Sequence, residues 1–287
     1  MAEARGRGGE GNGDAVKEQA LGLVRGITDP GQALNRMREY LQALVLRSLH
    51  ECEAFRPLAF VGGTALRFLH GLPRFSEDMD FSLVAAEGYA GMDWLAKVKR
   101  DLTLAGFEPQ VTWNDRKIVH VGWVRLPGIL REAGLSAMPA EKLAIKLKID
   151  TRPPAGARCE RRVVTRHVTF LLQHYDLPSL LAGKLHAVLQ RPYLKGRDLY
   201  DLMWYLSDPN WPLPNLTLLN NALQQTGWKD RPLTLKNWRN ILRKRLQSVT
   251  WERVIDDVRP FLEPNVDPNI LTGENFARLL RRSAKTL

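Results

Sequence analysis

Asp78 and Asp80 stand two residues apart in Arg74-Phe75-Ser76-Glu77-Asp78-Met79-Asp80-Phe81. On a strand this spacing puts both carboxylates on one face, while Met79, Phe81 and Leu83 turn to the other. Adjacent carboxylates repel and resist desolvation, so the pair is best tolerated where a divalent cation binds. Magnesium suits it, because it takes few protein carboxylates and completes its octahedron with phosphate oxygens and water. The chemistry expected is metal-dependent phosphate transfer. An inert, solvated acidic turn is the competing reading of Asp-x-Asp alone.

A phosphate needs a cradle, and Phe60-Val61-Gly62-Gly63-Thr64-Ala65-Leu66-Arg67 supplies a candidate. Leu58 to Val61 is a short apolar run ended by two glycines, and Thr64 is placed to cap the following helix, whose free N–H groups would face the phosphate. A third carboxylate is sought at the end of another strand. In Lys142 to Asp150, Leu143, Ile145, Leu147 and Ile149 alternate with Lys146, Lys148 and Asp150. Asp150 is therefore delivered on the polar face just before Pro153-Pro154 stops the strand; a solvent-facing aspartate before a turn is the alternative.

These blocks resemble the AbiEii/AbiGii-type toxins of the DNA polymerase β-like nucleotidyltransferase superfamily. The likeness rests on Gly62 to Arg67, Arg74 to Phe81, Lys148-Ile149-Asp150, Lys184 through Arg191, and Arg197-Asp198-Leu199-Tyr200-Asp201, in order along most of the chain. It implies an α+β fold with a polymerase β-like mixed sheet and helices, followed by a mostly helical C-terminal lobe. It implies a toxin that transfers a nucleoside monophosphate from an NTP to an acceptor, most simply the 3′ end of a tRNA. Magnesium is the implied cofactor, and a separately encoded antitoxin the implied protein partner. By the same resemblance, Asp78, Asp80 and Asp150 are the metal ligands. Gly62, Gly63, Thr64, Arg74, Ser76, Lys184 and Arg191 bind nucleotide, with Lys184 adding charge for the triphosphate. Two roles stay open for Asp198: positioning or deprotonating the attacking hydroxyl, or holding Lys184 and Arg191 by ion pairing. Ser76 is also a point at which an added phosphate would bring negative charge beside Asp78. A small-molecule nucleotidyltransferase of the antibiotic-modifying type, or a nucleotide- or RNA-binding module without turnover, are the alternative functions.

The elements that must position these groups are legible in outline. Residues 1–28 are rich in Gly, Glu and Arg and read as a flexible tail. The nucleotidyltransferase lobe is expected over 29–175 and the helical lobe over 176–287. Asp29-Pro30 opens an amphipathic helix, and Gly91 to Leu104 reads as another. Strands are expected at 108–113, 118–126 and between 162 and 172. Helices are expected at 177–190, 197–206, 216–225, 235–249, 251–262 and 275–285.

The 287 residues carry a formal net charge of +11, which favours a polyanionic partner. Arg243, Lys244, Arg245, Arg281 and Arg282, with Trp238 and Trp251 nearby, form a candidate RNA-binding face, or else a solvated surface over core tryptophans. Two cysteines without Cys-x-x-Cys spacing, and no signal-type segment, point to a reduced cytoplasmic protein. No apolar run is long enough to cross a bilayer. The six histidines show no metal-ligand spacing, and no Walker loop or Gly-x-Ser-x-Gly elbow occurs.

Overall fold

The computed structural model describes residues 10–281. The elements run α1 (Glu10–Gly22), α2 (Pro30–Glu51), β1 (Leu58–Val61), α3 (Gly62–His70), β2 (Asp78–Leu83), α4 (Gly91–Leu104), β3 (Gln110–Asn114), β4 (Val119–Pro127), α5 (Ile129–Glu132), β5 (Lys142–Asp150), β6 (Cys159–Val164) and β7 (Phe170–Tyr175). Helices α6 (Leu177–Gln190), α7 (Gly196–Ser207), α8 (Leu216–Gln225), α9 (Trp238–Leu246), α10 (Trp251–Val258) and α11 (Gly273–Arg281) follow.

The strands form one mixed sheet in the order β3-β4-β5-β2-β1-β7-β6. β2 runs parallel to β5 and β1 parallel to β7; the other neighbours are antiparallel. Strands gathered early and helices late make the fold α+β. Alternation decides which face is buried: Met79, Phe81, Leu147 and Ile149 are at most 4 % exposed. Trp94 and Leu95 of α4 and Leu49 of α2 close over Phe81, Leu147 and Ile149. The opposite face carries Asp78, Asp80, Lys146 and Lys148.

Helix α2 begins where its capping signal stands: Asp29 Oδ1 accepts from the Gln32 N–H at 2.9 Å, with Pro30 in the first turn. The segment after α10 straps back onto this half. The Phe75 N–H donates to the Phe261 carbonyl at 2.7 Å, and Asn35 Nδ2 donates to the Pro260 carbonyl at 2.8 Å.

Two expectations are corrected. The tail expected over residues 1–28 contains α1, with Ala20 fully buried and Val24 6 % exposed. Residues 1–9 of that tail lie outside the described residues. Average composition hid a local stripe of Val16, Ala20, Leu21, Leu23 and Val24, which packs on the core. Tyr40 and Glu132 hold it further, through Tyr40 Oη to Gln19 Oε1 at 3.0 Å and Lys17 Nζ to Glu132 Oε2 at 2.7 Å. The single strand expected between 162 and 172 is instead the β6–β7 hairpin. Its turn has no glycine or proline; it reverses through His167 at φ 64°. Tertiary contacts select that conformation, because His167 Nε2 lies 2.9 Å from Glu39 Oε1 and Arg166 Nε donates to the same oxygen at 3.0 Å.

Candidate active site

The glycine pair is explained by what approaches it. Gly62 has φ +81°, and a Cβ there would stand 2.9 Å from Asp80 Oδ2. A Cβ on Gly63 would stand 2.4 Å from Arg74 Nη2. One glycine thus admits a carboxylate and the next a guanidinium, which no other residue type permits without displacement. No side chain caps α3, so its leading N–H groups have no side-chain acceptor. Thr64 is not the cap expected of it. It is fully buried, and its hydroxyl donates to the Asp78 carbonyl, tying the start of α3 to the start of β2.

Asp78 and Asp80 share the open face of β2, and strand register decides their neighbours. Across the β2–β5 ladder Asp78 pairs with Lys146, Asp80 with Lys148 and Ser82 with Asp150. Lys148 Nζ donates to Asp78 Oδ2 and lies 3.9 Å from Asp80 Oδ1. Lysine, not a third carboxylate, therefore stands directly beside the pair. Asp150 sits one step further along, with its Oδ1 accepting the Arg152 N–H at 2.9 Å. Among the described residues no three His, Cys, Asp or Glu side chains converge as a metal-holding group. Loss of water raises the Asp80 carboxyl above its usual pKa; Lys148 opposes this and the Asp78 charge reinforces it.

The second half of the chain brings in the cations. Lys184 on α6 bridges Asp198 Oδ1 at 3.0 Å and Asp201 Oδ2 at 2.6 Å, both on α7. Arg191 pairs with Asp198 as well. Burial alone would lower the Lys184 ammonium, yet Asp201 and Asp198 hold its pKa above the usual value. Burial would likewise raise Asp198, but Lys184 and Arg191 keep it low. Behind them, Arg74 is locked on Asp201 by Nε–Oδ1 and Nη2–Oδ2 contacts of 2.6 Å, while its Nη1 donates to the Phe75 carbonyl at 2.8 Å. Arg74 is 2 % exposed with all three nitrogens engaged. It is a strut between the segment entering β2 and helix α7 rather than the phosphate ligand expected of it.

A cleft of about 410 Å³ lies between the sheet and helices α6 and α8, and gathers Gly62, Asp80, Asp150, Lys184, Arg191 and Asp198. Gly63, Thr64, Arg74, Ser76 and Asp78 lie outside its lining. Ser76 is half-buried, and its carbonyl and that of Glu77 accept from Gln42 Nε2 at 3.0 and 2.9 Å. Gln42, 1 % exposed, thereby fixes the chain entering β2. Sequence reasoning missed Gln42, Lys148 as a site group, and Arg245, whose Nη2 donates to the Arg191 carbonyl at 2.6 Å. The β2–β5 register gives Lys148 its place beside the carboxylates; nothing in the local pattern signals the other two.

Residues 44–282 match the sequence profile of a family described as the nucleotidyl transferase AbiEii toxin of type IV toxin–antitoxin systems. The chain belongs to this AbiEii family. Its fold is similar to two crystal structures from Helicobacter pylori. One is of JHP933 (TM-score 0.50, 20 % identity, covering 87 % of this chain and 90 % of that chain). The other is of a candidate nucleotidyltransferase (TM-score 0.50, 20 % identity, covering 87 % of this chain and 93 % of that chain). No curated protein sequence matches the chain. Membership of the AbiEii family implies a nucleotidyltransferase toxin with a nucleotide substrate and a cognate antitoxin. Among the described residues no helix is long and apolar enough to cross a membrane.

Proposed function

We propose that this AbiEii-family toxin is a magnesium-dependent nucleotidyltransferase that moves a nucleoside monophosphate from an NTP onto RNA in the cytoplasm, with a tRNA 3′ end as the foremost acceptor. One observation carries the reading. Asp78 and Asp80 lie side by side on an open strand face, with the uncapped start of α3 next to them and Lys184 and Arg191 lining the same cleft as Asp80.

The donor set suits magnesium: two hard carboxylates, the raised pKa of Asp80 marking one that lacks compensation, and an Asp80 that lines the cleft beside Gly62. Asp78 and Asp80 would hold the ion, which when bound stabilises charge on the entering and leaving oxygens. Lys184 and Arg191 place positive charge where the triphosphate must lie, and the leading N–H groups of α3 donate to its oxygens. Asp198 keeps both cations oriented; its two oxygens are engaged by them, so its role here is positioning. In the reaction the acceptor hydroxyl loses its proton to water, its oxygen bonds to the α-phosphorus, the P–O bond bridging the α- and β-phosphates breaks, and pyrophosphate leaves.

The test is incubation with magnesium, each labelled NTP in turn and total tRNA, with Asp80→Ala alongside. Label on RNA that vanishes in the variant is expected. NTP binding without labelled RNA would overturn the RNA acceptor and direct the search to proteins and small molecules.

A further inference from the structure

The open sheet face does not stop at the carboxylates. Register carries it outward in a straight row across four strands, from Asp78 on β2 to Lys146 on β5, Trp123 on β4 and Thr112 on β3. Arg125, two residues beyond Trp123, occupies the same face, and Lys142 joins it at the start of β5. The Trp123 ring is half-buried and carries two cations: Arg125 Cζ lies 4.9 Å and Lys146 Nζ 4.8 Å from its centroid. Neither cation, nor Lys142, has a carboxylate partner among the described residues. Arg125 Nη1 donates to Thr112 Oγ1 at 3.2 Å, and Lys142 Nζ to Gln110 Oε1 at 2.8 Å. Elsewhere near the site cations are paired: Lys148, Lys184, Arg191 and Arg197 all meet carboxylates.

We propose that this face, built on Trp123, Arg125, Lys142 and Lys146, is the docking platform for the single-stranded end of the RNA acceptor. The proposal rests on the nucleotidyltransferase reading above and extends it to the second substrate. Uncompensated cations set around a half-buried indole are what a single strand needs, with phosphates tracked by charge and a base met by the ring. Three cations without carboxylate partners thus share the one sheet face that leads to the carboxylates. The distance fits as well. Two strand spacings of about 4.8 Å separate Trp123 from Asp78, roughly 10 Å, so a terminal hydroxyl at the carboxylates leaves a base one or two nucleotides upstream over Trp123. The NTP occupies the cleft on the α6 side, and the acceptor arrives from the β4–β5 side, as in-line displacement requires.

The competing basic surface is α9, where Arg243 and Lys244 are exposed. Binding of a fluorescein-labelled single-stranded RNA oligonucleotide to the full chain, followed by anisotropy at several salt concentrations, separates the two. Trp123→Ala and the pair Arg125→Glu with Lys146→Glu should each weaken RNA binding about tenfold or more, and the charge pair should flatten the salt dependence. Trp123→Phe should recover most of the loss. NTP affinity, measured on the same samples, should stay within about twofold of wild type and shows that each variant is folded; Arg243→Glu with Lys244→Glu should leave RNA binding unchanged. If RNA binding survives the sheet variants, or is lost in the α9 pair instead, the platform is overturned while the RNA acceptor stands. If wild type binds no RNA and labels another acceptor, both fall together.

Discussion

Two groups of aspartates meet cations in this protein, and they do so in opposite ways. On α7, Asp201 and its partner Arg74 have side chains 0 % and 2 % exposed, and their bonding capacity is filled by each other, Lys184 and the Phe75 carbonyl. On β2, the side chains of Asp78, Asp80 and their neighbour Lys148 are 38 %, 40 % and 31 % exposed, with one close ion pair among them. Burial makes the first group obligatory: an ion left alone there has neither water nor partner. Exposure leaves the second group free to exchange partners, as a substrate site must. The dry cluster fixes where the cleft walls stand, and the more open one is left for chemistry.

The largest effect should come from breaking the dry pair. Arg74→Met leaves buried Asp201 with Lys184 as its one remaining cation and should cost about 3–5 kcal/mol in chemical unfolding, whereas Arg74→Met with Asp201→Leu should recover much of it. A cost below about 1 kcal/mol would erase the distinction between the two groups. Asp80→Asn should do the reverse, lowering nucleotidyl transfer about a thousandfold, or about 4 kcal/mol, with the melting temperature unchanged or slightly higher. Its carboxylate is disfavoured in the fold, so neutralising it removes a partly desolvated charge and its repulsion with Asp78. A large fall in stability would place Asp80 with the struts.

A second dry carboxylate sharpens the contrast through pH. Burial alone would raise Glu39, but His167, Arg67 and Arg166 overcome it and hold its pKa at about 2, against 4.5 unfolded. A depressed carboxylate contributes stability that is full above the unfolded value and is lost as protons bind. Unfolding free energy should therefore decline between about pH 4.5 and pH 2, by about 3 kcal/mol from this group, and Glu39→Gln should flatten that limb. The smallest change is Gly63→Ala. It drives a methyl into an Arg74 guanidinium that Asp201 holds still, and should cost about 1–3 kcal/mol in stability. If Arg74 simply swings aside without cost, the strut is softer than its geometry states.

Local chemistry was legible where it is local. The capping pair Asp29-Pro30 opens α2, the apolar run before Gly62 is β1, and the stripe between Leu177 and Gln190 is α6, because capping and periodicity act within a few residues. The β6–β7 turn was not legible, since its reversal depends on Glu39, more than a hundred residues away in sequence. Helix α9, expected over 235–249, is Trp238–Leu246, a boundary that no strong cap marks.

The site divides along the same line. Sequence alone placed Asp78 and Asp80 on one strand face beside a glycine turn, because a period of two is a property of any strand. It also placed Asp150 on the polar face of β5. Only the tertiary structure decided that β2 and β5 pair in a register that sets Lys148 at Asp80 and Asp150 opposite Ser82. Only tertiary structure, too, turned Arg74 from a candidate phosphate ligand into a strut, because Asp201 lies far along the chain and meets it only when the helices fold back on the sheet. Spacing determines which face a side chain takes; which partner waits there is set by packing between segments that no local pattern links.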